Sequence, residues 1–195
     1  MRVVAGKYKG RRLAGPKGAA ARPTSDKVRE ALFSILGDVS GLRVLDLFAG
    51  TGALGIEALS RGAGHVTFVE RDRNMRAVAI ANLQVIAADD PQAHTLRHED
   101  AIAFLAHAAE DGQRFDLALL DPPYADAQRL APRLAERLPV VLAPGAAVVA
   151  ECDRRAPLML ESAGDATGDR RLALSSERRY GDTLLRFFRP AEAGA

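Results

Sequence analysis

From Leu42 onward, short apolar and β-branched runs alternate with longer segments whose apolar residues recur at helical spacing. Leu42–Phe48 predicts a buried strand and Ala53–Arg61 a helix, with Gly62 and Gly64 near its end. His65–Glu70 predicts a second strand, Arg73–Ala87 a long helix, and Thr95–His98 a short third strand. Ala101–Ala109 predicts a helix ended by Asp111-Gly112. Phe115–Leu120 is an apolar run apart from Asp116, the pattern of a central strand covered on both faces. Ala127–Leu138 predicts a helix, and Ala146–Glu151 a fifth strand after the Pro144-Gly145 turn.

Repeated strand–helix units with short connections imply a parallel sheet with right-handed crossovers. The tail breaks that rhythm. Arg171–Arg178 and Thr183–Phe188 are strand-like runs joined through Tyr180-Gly181-Asp182, a terminal hairpin that makes the last strand antiparallel to the others. The first forty residues differ again. Arg2–Ala5 and Arg11–Leu13 flank Gly6 and Gly10, which predicts a small β-hairpin. A helix follows at Ser25–Leu36, capped by Thr24 or Ser25 and ended by Gly37. The chain is therefore divided here into an extension, residues 1–40, and a main domain, residues 41–190.

Composition fits one substantial core: 195 residues, 48% hydrophobic and 27% charged. The net charge of +2 hides an uneven spread. Residues 1–30 carry nine Lys or Arg against Asp26 and Glu30, a net of +7, so the remainder carries −5. A basic segment on a mildly acidic domain suits a polyanion, although charge alone fits a solvated arm as well. The single cysteine, Cys152, allows no internal disulfide and reads as a core residue. No secretory leader and no apolar stretch long enough for a bilayer is visible, so a cytoplasmic protein without membrane contact is expected.

Four polar motifs follow four strands. After the first comes Asp46-Leu47-Phe48-Ala49-Gly50-Thr51-Gly52, where the glycines allow a sharp turn and close approach to a ligand. Gly50, Gly52 and Gly55 match G-x-G-x-x-G, which serves a dinucleotide equally well or simply joins strand to helix. Asp46 tilts the balance, because a carboxylate repels a pyrophosphate and attracts an ammonium. Glu70 ends the second strand and can grip both hydroxyls of a ribose. Asp100-Ala101 ends the third: Asp100 can accept from an adenine amine or cap a helix, and the Ala101 amide can donate to a ring nitrogen.

The fourth motif, Asp121-Pro122-Pro123-Tyr124, is the most specific. Two prolines make a rigid segment poor in amide donors, leaving carbonyl acceptors beside the Asp121 carboxylate and the flat Tyr124 ring. Such a pocket suits an aromatic ring bearing an amine. In a parallel sheet the carboxyl ends of the strands share one edge, where ligands bind.

Together these motifs resemble the class I S-adenosylmethionine-dependent amino-methyltransferases, a Rossmann-like α/β fold. Further stretches narrow the likeness: Arg2–Lys7, Lys9–Leu13, Arg22-Pro23-Thr24, Asp26–Phe33, Gly52–Gly62 and Tyr180-Gly181-Asp182 are similar to the RsmD family. The resemblance covers nearly the whole chain. It implies a seven-stranded, mostly parallel sheet with helices on both faces and the last strand reversed. It also implies methylation of guanine N2 in small-subunit (16S) ribosomal RNA, in a ribosomal particle or assembly intermediate. The cofactor, S-adenosylmethionine, would meet Asp46, Phe48, Gly50, Gly52, Glu70, Asp100 and Ala101, with Arg22 and Thr24 closing the site. Asp121, Pro122, Pro123 and Tyr124 would take the base.

On these residues the reaction is an in-line displacement governed by positioning. Asp121 and the Pro122 carbonyl would accept the two amine N–H groups, and Tyr124 would stack on a base flipped from its neighbours. Lys7, Lys9, Arg11, Arg12, Lys27 and Arg29 would hold phosphates without reading sequence. No metal is expected, because His65, His94, His98 and His107 form no convincing ligand set. Competing readings are a DNA adenine-N6 or cytosine-N4 methyltransferase, a nicotinamide dehydrogenase built on Gly50–Gly55, and a non-catalytic RNA-binding assembly factor.

Overall fold

The computed structural model describes residues 1–15, 25–86, 90–161 and 171–191. They form helix α1 (Asp26–Leu36), strand β1 (Arg43–Asp46), α2 (Ala53–Ser60), β2 (His65–Val69), α3 (Arg73–Ile86), β3 (His94–Arg97), α4 (Ala101–Glu110), β4 (Phe115–Leu120), α5 (Tyr124–Arg137), β5 (Leu142–Asp153), β6 (Leu172–Tyr180) and β7 (Thr183–Pro190). The strands make one seven-stranded sheet in the order β3-β2-β1-β4-β5-β7-β6. β2 pairs in parallel with β1 and β3, as β4 does with β5, whereas β7 is antiparallel to both β5 and β6. This is the mostly parallel sheet with a reversed last strand that the sequence predicts.

Local chemistry sets the boundaries. Ser25 caps α1 by accepting from the Val28 amide at 3.2 Å, and Gly37 ends it in a positive-φ conformation, its amide donating to the Phe33 carbonyl. β4 coincides with the expected Phe115–Leu120, and apart from half-buried Asp116 its residues are buried, Leu117 through Leu120 wholly so. β5 is longer than expected. Pro144-Gly145 does not precede the strand but bulges within it, at the register shift between Phe115 and Leu117 on the facing strand. α5 begins at Tyr124 rather than Ala127, because the Pro123 carbonyl accepts from the Asp126 and Ala127 amides and starts the helix.

The described residues pack as two units, Met1–Asp100 and Ala101–Ala195. The N-terminal segment falls within the first unit, with β1–β3. Its expected hairpin forms in part: Arg2 bridges Arg12 in antiparallel fashion, and Val3 donates to Arg11, Gly10 to Val3 and Leu13 to Met1, but the pairing does not extend into two full strands. The reason is competition for its amides. Val4 and Ala5 donate to the two Glu57 carboxylate oxygens at 2.8 and 2.9 Å, and Tyr8 donates to the Ser60 hydroxyl at 2.9 Å. The segment is thus an arm laid on α2. Among the described residues no helix is long and apolar enough to cross a membrane.

Candidate active site

In the first unit, β1 delivers Asp46 into the core at 1% exposure. Its Oδ2 accepts from the Gly55 amide at 2.9 Å, while Oδ1 is buried with no partner among the described residues. Burial pushes the carboxyl up to about 7; the Gly55 N–H opposes this and the Glu70 charge adds to it. The chain then turns through Gly50 and Gly52, at φ 54° and 81°, which side chains strongly disfavour. Gly55 serves a different need. A Cβ there would lie 2.2 Å from the Phe68 ring, so its absence lets α2 close on β2.

Glu70 braces this turn. One carboxylate oxygen accepts from the Gly50 amide at 2.7 Å and the other from Asp72 at 2.6 Å. Each oxygen keeps further acceptor capacity for a diol. Asp100 lies 3.7 Å from the guanidinium of Arg71, the residue after Glu70, and Ala101, opening α4, is buried. The structure therefore joins Asp46, Gly50 and Glu70 in one turn, with half-buried Phe48 beside them. Arg22 and Thr24 lie outside the described residues. Sequence reasoning missed Asn82, a buried amide on α3 that donates to the Thr51 carbonyl in this turn at 2.9 Å. A polar residue among the apolar positions of α3 was its only outward sign.

In the second unit, half-buried Asp121 ends β4, Pro122 is buried and Pro123 exposed. Because the Pro123 carbonyl is taken by α5, it is not an acceptor for a ligand, which corrects the expectation that all carbonyls of this motif are available. Tyr124 is 47% exposed. Partial burial, then the charges of Asp121, Glu151 and Asp153, push its hydroxyl up to about 12, so the ring stays neutral. Glu151 is a further missed residue: the Leu120–Ala150 register places it beside Asp121, and it is 4% exposed. Cys152 is buried, as expected of a core residue.

The basic segment divides in two. Lys7, Lys9, Arg11, Arg12 and Lys27 lie at the surface, with Lys7 and Arg11 poised over the Tyr8 ring at 5.2 and 5.1 Å. Arg29 corrects the sequence reading, since its side chain is 0% exposed and cannot reach a phosphate. It donates to the Asp26 carboxylate at 2.7 Å and to the Arg2 carbonyl, and sits 3.6 Å from Glu57. A buried guanidinium needs such partners, and here they pin the arm to α1 and α2.

With this geometry in place, comparison with known proteins places the chain. A family model described as "conserved hypothetical protein 95" matches residues 1–189. The chain belongs to the RsmD family. It is 37% identical over 190 residues to YlbH of Bacillus subtilis, covering 97% of this chain and 98% of that protein, whose name assigns it provisionally to the rRNA methyltransferases. It is 38% identical over 125 residues to ribosomal RNA small subunit methyltransferase D of Escherichia coli, covering 64% of this chain and 60% of that one. A solved Escherichia coli structure, described provisionally as methyltransferase yhhF, superposes with a TM-score of 0.77 at 30% identity over 98% of both chains.

Proposed function

We propose that this RsmD-family chain is an S-adenosylmethionine-dependent rRNA methyltransferase that modifies the exocyclic N2 amine of a guanine in small-subunit ribosomal RNA, within a particle or assembly intermediate. The observation that carries the cofactor assignment is the buried, unpartnered Asp46 Oδ1 beside a glycine turn braced by Glu70. An orphaned buried carboxylate oxygen is costly unless a ligand supplies a donor, and an ammonium is the donor it favours. A dinucleotide pyrophosphate would meet repulsion at the same place.

S-adenosylmethionine, when bound, supplies a methyl group already activated on a sulfonium. The remaining work falls to this chain. Asp46 receives the ammonium, Glu70 receives the ribose hydroxyls, and Asp100 with the Ala101 amide frames the adenine edge. Asp121 and the Pro122 carbonyl accept hydrogen bonds from the two amine N–H groups, orienting a nitrogen whose lone pair is otherwise shared with the ring. Tyr124, half exposed and neutral, offers a stacking face rather than a base. The guanine must leave its stack to reach these groups, a cost that is small in a single-stranded loop. Lys7, Lys9, Arg11, Arg12 and Lys27 hold the phosphate backbone. The names of YlbH and of the Escherichia coli relative support rRNA as the substrate.

The test is product analysis. Purified protein is incubated with radiolabelled S-adenosylmethionine and small-subunit particles or naked rRNA, and the digested nucleosides are separated. Labelled N2-methylguanosine is expected, with more from particles than from naked RNA. Label in methyladenosine or methylcytidine would refute the base assignment.

A further inference from the structure

The arm and the cofactor turn meet in one buried side chain, a connection that the proposed methyl transfer leaves unexplained. Asn82 Oδ1 accepts from the Ala14 amide at 2.7 Å, and Nδ2 donates to the Ala14 carbonyl at 3.1 Å and to the Thr51 carbonyl at 2.9 Å. Pairing with both backbone groups of Ala14 imitates a ladder partner, while the second amide hydrogen reaches the residue between Gly50 and Gly52. Asn82 is 3% exposed, so losing any of these bonds leaves a buried polar group unsatisfied. A second, weaker link runs beside it: the Thr51 hydroxyl faces the Met1 thioether at 3.9 Å, and the Met1 carbonyl accepts from the Leu13 amide. The arm's anchors Glu57 and Ser60 lie on α2, which starts from the same turn. Asn82 alone, among the described residues, bonds the end of the arm to the backbone of the turn through one buried side chain.

We propose that Asn82 is a positioning residue that couples docking of the basic N-terminal arm to occupancy of the glycine turn by the cofactor. The inference rests on the reading of that turn as the cofactor site. A ligand that fixes Gly50–Gly52 fixes the Thr51 carbonyl, which fixes the Asn82 amide, which holds Ala14 in place. Coupling between two sites is reciprocal, so the docked arm strengthens cofactor binding by the same factor. The consequence for the enzyme is order. The end of the arm, which follows Arg11 and Arg12, is held ready for RNA when the methyl donor is in place, while the α2 anchors hold Val4 to Tyr8 throughout.

Hydrogen exchange of the full-length protein, with and without S-adenosylhomocysteine, tests this in wild type, Asn82→Ala and Asn82→Asp. The aspartate keeps an acceptor for the Ala14 amide but cannot donate to Thr51. In wild type the ligand should slow exchange at the turn amides, and by about tenfold at Leu13 and Ala14, a typical coupling. In both variants the turn should still be protected, while the slowing at Leu13 and Ala14 is lost. Calorimetry should show ligand affinity weakened by the same factor. Protection of Val4 and Ala5 through Glu57 should persist, which separates lost coupling from general loosening. Arm protection that still responds to the ligand in both variants would overturn the inference. A wild-type turn that gains no protection would instead remove the cofactor reading beneath it.

Discussion

Asp46→Asn separates what this residue does for the fold from what it does for a ligand. In the folded chain the Asp46 carboxyl sits at about 7 rather than 3.8, chiefly because it is buried. Between those values the unfolded chain releases its proton while the folded chain keeps it, so stability falls as pH rises from about 4 to about 7. The gap corresponds to about 4 kcal/mol lost at pH 8. Asparagine still presents an oxygen to the Gly55 amide and never ionises; its buried N–H group costs roughly 1–3 kcal/mol. Ligand-free Asp46→Asn should therefore be more stable than wild type at pH 8 by roughly 1–3 kcal/mol, with no gain at pH 4.

Binding should run the other way. An ammonium at Oδ1 requires the ionised carboxylate, so wild-type affinity for S-adenosylhomocysteine should fall about tenfold for each pH unit below 7, one proton being released on binding. The asparagine variant should lose that pH dependence and bind roughly 10–100-fold more weakly at pH 7.5, the worth of a hydrogen bond to a charged group. Urea unfolding at pH 4 and 8, with calorimetry at pH 5.5, 6.5 and 7.5, measures both. A variant less stable than wild type at pH 8, or wild-type affinity flat with pH, would refute the reasoning.

Other perturbations probe the remaining parts. Asp121→Ala should abolish most turnover while S-adenosylhomocysteine affinity changes little; equal loss of both in kinetics and calorimetry would move Asp121 into the cofactor site. Glu57→Ala strips buried Arg29 of one partner and two arm amides of their acceptor, so denaturant unfolding should show a loss of about 3–5 kcal/mol. Neutralising Lys9, Arg12 and Lys27 should weaken RNA binding and flatten its salt dependence by about 0.7 for each phosphate no longer neutralised. An unchanged slope would free the arm of that role.

Much of this was legible because the patterns were local. The run Phe115–Leu120, apolar apart from Asp116, suits a covered strand, and the glycines after Asp46 suit a tight turn. What escaped depended on partners distant in sequence. The arm reads as a hairpin because two short runs flank Gly6 and Gly10, and its limbs do pair around Arg2 and Arg12, but the Val4, Ala5 and Tyr8 amides are taken by Glu57 and Ser60, some fifty residues away. Those two polar residues in a helix buried nearly all round were the available clue. Arg29 looked like one more basic residue, and only its place between Asp26 and Glu57 shows that it serves the fold. Pro144-Gly145 reads as a turn, yet in a long strand the same pair makes a bulge.

The most direct test of the proposed activity is mass spectrometry of ribosomal RNA from cells that contain the protein, lack it, or carry only Asp121→Ala. One small-subunit guanine should bear a methyl group on N2 in the first case and be unmodified in the other two. Identical modification in all three would contradict the assignment.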